Sequence, residues 1–80
     1  SALDVTVQAQ IIELLKRLQK EMNLSILLIS HDLALVQYLC DHVIVMYQGN
    51  IVEEGTPERV INAPENDYTK MLIEAAMLRQ

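Results

Sequence analysis

The amino-acid sequence predicts a piece of an α/β domain, in the order helix, strand, helix, strand, strand, helix, helix over residues 1–80. Three observations carry this expectation. Apolar residues recur at helical spacing from Val5 to Glu21, an unbroken apolar run follows at 25–30, and no strand precedes the first helix. A buried parallel strand normally pairs with one lying just before its crossover helix, because the unit is strand, helix, strand. That partner is expected outside these 80 residues, so the chain reads as one partial domain.

The first helix is expected over Val5–Glu21, with Val7, Ile11, Leu14, Leu15, Leu18 and Met22 on one side. Asp4 is placed to cap it by accepting from first-turn amides, and Asn23 suits a left-handed stop. Lys16, Arg17 and Lys20 suit the negative end of the helix dipole, and Glu13 stands at pairing distance along the helix from Arg17. A solvated charged face accounts for all four.

Residues 25–30, Ser-Ile-Leu-Leu-Ile-Ser, show no alternation and so predict a strand covered on both faces. Asp32 then caps a short helix from Leu33 to Cys40, where Leu33, Val36, Leu39 and Cys40 share a side and Cys40 packs as a small apolar residue. A second strand is expected at Val43–Tyr47 and a third at Ile51–Glu54. Between them Gly49 and Asn50 tolerate positive φ, which predicts a tight hairpin. Thr56-Pro57 opens the next helix with a threonine cap and a proline at its first position. After Pro64, Asp67 is expected to cap a last helix from Tyr68 to Arg79 with Tyr68, Met71, Leu72, Ala75 and Leu78 inward.

Bulk properties narrow the function classes. A net charge of −5 with scattered basic residues argues against a nucleic-acid partner. Cys40 is the only cysteine, so no intramolecular disulfide forms, and no apolar run approaches the roughly 20 residues that cross a bilayer. With no charged-then-apolar leader, the expected compartment is the cytosol, any membrane contact running through protein partners. Two histidines and one cysteine without short ligand spacing make no zinc site, and no other metal site is expected within the chain. Glu53 and Glu54 are adjacent on a strand, point to opposite faces and read as solvated. His42 reads as a surface or ion-pairing residue.

His31 is different in position. Ligands of open parallel sheets sit beyond the carboxyl ends of the strands. His31 follows the apolar run and precedes the capping Asp32, near a helix N-terminus, where anions are favoured and a neutral imidazole can donate to a phosphate oxygen. By position alone two readings stand level: a phosphate contact, or a histidine that satisfies a turn amide.

Ser1-Ala2-Leu3-Asp4 resembles the D-loop of ATP-binding cassette (ABC) ATPases, and Ile29-Ser30-His31-Asp32-Leu33 resembles their switch-histidine loop, with a helix and a strand between them as in that family. Ala9-Gln10, Leu39-Cys40-Asp41, Val45-Met46-Tyr47, Gly49 and Glu53-Glu54-Gly55-Thr56-Pro57 extend the resemblance to the C-terminal part of a P-loop NTPase domain of this kind. Ser1 to Gln10 and Tyr68-Thr69 look most like subunits that power import of oligopeptides, dipeptides or nickel. Those relatives usually carry His-Pro before the Tyr-Thr pair; here the two residues are Asn66-Asp67.

The resemblance implies roles. His31 contacts the ATP γ-phosphate and helps to position the attacking water; Ser1, Ala2, Leu3 and Asp4 lie at the seam with a second nucleotide-binding domain. Permease subunits, ATP and Mg²⁺ belong to the full-length parent, at the inner face of the membrane. The chain has two glycines, Gly49 and Gly55, and no G-x-x-x-x-G-K-[ST] phosphate loop. The glutamine loop, signature loop and acidic Walker B strand are likewise expected upstream, so the 80 residues alone are not expected to hydrolyse ATP. The alternative is a free-standing α/β module without nucleotide function, whose exposed apolar flank and unpaired strand edge lead it to self-associate.

Overall fold

A computed structural model describes the backbone of residues 2–78 and the side chains of residues 5–78. Four helices and one hairpin follow in the order α1 (Ala2–Glu21), α2 (Leu33–Leu39), β1 (Val43–Tyr47), β2 (Asn50–Gly55), α3 (Pro57–Asn62) and α4 (Asp67–Met77). No helix among the described residues is long and apolar enough to cross a membrane.

The hairpin arises from local chemistry. β1 and β2 pair antiparallel, with Val45 opposite Glu53 and Tyr47 opposite Asn50, and an irregularity between Val45 and Met46 shifts the register. The turn differs from expectation by one residue: positive φ falls at Gln48 (50°) and Gly49 (79°), while Asn50 already belongs to β2. Two successive positive φ values match the twist that a two-residue hairpin loop needs.

Thr56 and Pro57 open α3 as expected, the threonine hydroxyl accepting from the Arg59 amide. At α4 the cap is Asn66 rather than Asp67. The Asn66 carboxamide oxygen accepts from Tyr68 N at 2.8 Å and from Thr69 N at 3.4 Å, and Asp67 becomes the first helical residue. The inward face of α4 shifts accordingly. Thr69 is buried and Ile73 and Ala76 are half-buried, whereas Met71, Leu72, Ala75 and Leu78, all expected inward, are exposed; Arg79 lies outside the described residues.

Among the described residues the buried apolar side chains are Leu39 from α2 with Val60 and Ile61 from α3. Each such burial contributes about 1.5–3 kcal/mol. Tyr47 and Tyr68 pack with ring centroids 4.1 Å apart and planes tilted by 37°, tying the end of β1 to the start of α4.

The segment 25–30 is not a strand. Residues 23–30 form no regular element, and Leu27 and Ile29 are each 91% exposed. A strand exists only as part of a ladder, and among the described residues the two strands pair with each other. The stripe of α1 is likewise only partly covered: Leu15 and Leu18 are half-buried, while Val7, Ile11, Leu14 and Met22 are exposed. Asn23 ends α1 with φ of 56°, as the sequence suggests. Asp4 is not its N-cap, because α1 begins at Ala2; the Asp4 side chain lies outside the described residues.

Candidate functional site

His31 stands in a turn built by its two neighbours. Ser30 Oγ accepts from the Asp32 amide at 3.0 Å, Asp32 Oδ1 accepts from Leu35 N at 3.2 Å, and the Asp32 carbonyl accepts from Val36 N at 3.0 Å. Asp32 is therefore the N-cap of α2, and its extended backbone (φ −88°, ψ 104°) aims the chain into the helix. These bonds join the residue on each side of His31 to α2. The ring itself is exposed, and no protein group hydrogen-bonds it among the described residues. It is not occupied in satisfying a turn amide, since the Ser30 and Asp32 side chains perform that task.

At the other end of α2, Tyr38 meets α1. Its hydroxyl donates to Glu13 Oε1 at 2.5 Å, its carbonyl accepts from Lys16 Nζ at 2.7 Å, and the same ammonium lies 5.2 Å from its ring centroid. Glu13 is thus engaged by Tyr38, and no Glu13–Arg17 ion pair forms among the described residues. The hydrogen bond to Glu13, then desolvation, pushes the Tyr38 phenol above its usual range. Sequence reasoning missed this arrangement. Glu13 and Lys16 stand three apart, hence on one helix face, but nothing local names Tyr38 as their partner.

The remaining candidates separate from His31. His42 Nε2 lies 2.8 Å from Glu54 Oε2 on the exposed face of the hairpin, the ion-pairing position expected of it. Glu53 contradicts expectation: its side chain is only 4% exposed. It accepts from the amides of Glu65 and Asn66, both at 2.9 Å, and from Arg59 Nη1 at 3.1 Å. Desolvation pushes this carboxyl up, but the amides of Asn66 and Glu65, the nearby Thr69 hydroxyl and Arg59 outweigh it and lower its pKa to about 2. The Thr69 hydroxyl is buried and favours the anion by proximity, without a hydrogen bond of ordinary geometry. Cys40 is half-buried, as a small packing residue should be. Ser1 lies outside the described residues, and of Ala2, Leu3 and Asp4 only the helical backbone is described.

No protein-family model matches the chain. It is 51% identical over 75 residues to the glutathione import ATP-binding protein GsiA of Escherichia coli strain K12 and to that of Shigella flexneri, a match covering 94% of this chain and 12% of each relative. To the protein of the same name from Escherichia coli O1:K1 the identity is 49% over the same shares. Over 94% of its length the chain is similar to ATP-binding subunits of ABC transporters. Its relatives fall in the peptide and nickel importer branch of that family, and it spans about an eighth of their length.

The described residues offer an exposed imidazole at His31, and among them no group of three or more His, Cys, Asp or Glu side chains could hold a metal ion. Neither ATP nor Mg²⁺ fits a site made of these residues alone.

Proposed function

We propose that this chain is the C-terminal part of the nucleotide-binding domain of an ABC importer subunit, to which it supplies a D-loop and a switch histidine. The observation that carries the reading is the 51% identity spread over 94% of the chain, set beside an exposed His31 anchored to α2 on both sides. In this reading the His31 imidazole donates a hydrogen bond to the terminal phosphate of an ATP held, with its Mg²⁺, by the rest of the subunit. Ser1, Ala2, Leu3 and Asp4 face a second nucleotide-binding domain, and permease subunits bring the assembly to the inner face of the membrane. The relatives' name specifies glutathione import, so the transported solute is inferred to be a small peptide or a related compound.

The test is His31→Ala in the full-length subunit. Loss of one preorganised donor should lower ATP turnover roughly 100-fold, while nucleotide binding persists. Turnover at the wild-type rate would refute the role of His31.

A further inference from the structure

We infer that Ser30 is a positioning residue, whose hydroxyl closes a turn across His31 and so fixes the direction in which the imidazole leaves the backbone. The inference rests on the proposed function and deepens it, adding a side chain that acts on the terminal phosphate through His31 and does not touch that phosphate itself.

His31 is the middle residue of three. Ser30 Oγ accepts from the Asp32 amide at 3.0 Å, so the side chain before the histidine is tied to the backbone after it. A serine hydroxyl that takes an amide two residues on mimics one side of a backbone turn and restricts the residue between. Asp32 is held in turn on its far side, its carboxylate accepting from Leu35 N at 3.2 Å and its carbonyl from Val36 N at 3.0 Å. These three bonds close within residues 30–36, so the turn is specified locally, independent of what packs against the residues before Ser30.

The Asp32 amide has no other partner within its own helix. As the N-cap amide it precedes the first helical hydrogen bond. A capping box would satisfy it with a Glu or Gln side chain at the third helical position, reaching back to the cap. That position is Leu35, which carries no acceptor, and Ser30 supplies one from the N-terminal side instead. The same bond that satisfies the amide therefore holds the backbone of His31. A donor stabilises developing charge only when it is aimed in advance at the place where the charge appears, which makes this hold part of the proposed phosphate contact.

The experiment measures ATP hydrolysis by the full-length subunit. Ser30→Ala removes the acceptor and is expected to lower kcat about tenfold, as for a misaimed donor, with KM for ATP unchanged. Ser30→Thr keeps the hydroxyl and should recover most of the loss. In a His31→Ala background Ser30→Ala should lower kcat no further, because its effect passes through the imidazole. Wild-type kcat in Ser30→Ala, with His31→Ala impaired, overturns the positioning role and leaves the proposed function standing. A loss that Ser30→Thr does not recover, or that recurs in full when His31 is already alanine, also overturns it. Wild-type turnover in His31→Ala overturns the proposed function itself.

Discussion

Glu53 and Arg59 meet at 3.1 Å across the junction between β2 and α3, the carboxylate buried and the guanidinium partly open to water. The approach depends on Gly55. A Cβ there would lie 2.8 Å from Arg59 Nε and 2.9 Å from Nη2, where Arg59 also donates to the Glu54 carbonyl. With the amides of Glu65 and Asn66 on the same carboxylate, one side chain ties β2, α3 and the start of α4 together.

Removing the charge should therefore cost more than a surface ion pair. Glu53→Gln leaves Arg59 and one of the two amides poorly matched, and a loss of roughly 2 kcal/mol is expected. Arg59 is 37% exposed, which places the figure at the low end for a buried pair. Urea denaturation of both proteins at neutral pH checks it.

The same group gives a pH dependence of definite sign. Its carboxyl lies at about 2 in the folded chain against 4.5 ordinarily, so the folded state favours the ionised form. The stabilisation is fully present above the unfolded value and is lost as pH falls through the folded one. Stability should decline between about pH 4.5 and pH 2, and Glu53→Gln should lack this component of the decline in acid denaturation followed by circular dichroism.

The start of α4 distinguishes two adjacent residues. Asn66→Ala removes the cap and should destabilise by about 1 kcal/mol. Asp67→Ala removes a first-turn charge together with its 4.0 Å contact to Lys70 and should cost about 0.3–1 kcal/mol at low salt. Salt sensitivity in chemical denaturation separates the two, because the dipole contribution is screened and the cap is not.

Gln48 holds a positive φ that its side chain does not favour. Gln48→Asn, which visits that conformation more readily, should stabilise the hairpin by about 0.5 kcal/mol. A rise in the urea midpoint with an unchanged slope is the expected result.

The Cys40 thiol is pushed up by desolvation and by Asp41, with Lys16 acting in the opposite direction. Its alkylation at neutral pH should be slower than that of an unhindered thiol, and the rate should continue to climb above pH ~8.5. Alkylation by iodoacetamide, followed by mass spectrometry, measures this.

Much of the local architecture was legible in the residues. The stop of α1 at Asn23, the cap at Asp32, the Thr56-Pro57 opening and the hairpin around Gly49 each depend on side chains within a turn of the backbone they satisfy. The candidate site was legible only as far as His31 and its capping neighbour. Tyr38, Glu13 and Lys16 were not, since 22 and 25 residues separate the partners and no spacing rule reaches across that interval.

The sequence by itself determined the existence of the helices, the caps at Asp32 and Thr56, the hairpin and, through the order of its motifs, the likeness to ABC ATPases. Tertiary structure decided that Glu53 is buried rather than solvated, that Asn66 rather than Asp67 caps α4, and that residues 25–30 pair with neither β1 nor β2. The physical reason is range. Caps and turns are satisfied by neighbouring backbone, whereas desolvation, strand pairing and ion pairs depend on groups that only the folded chain brings near.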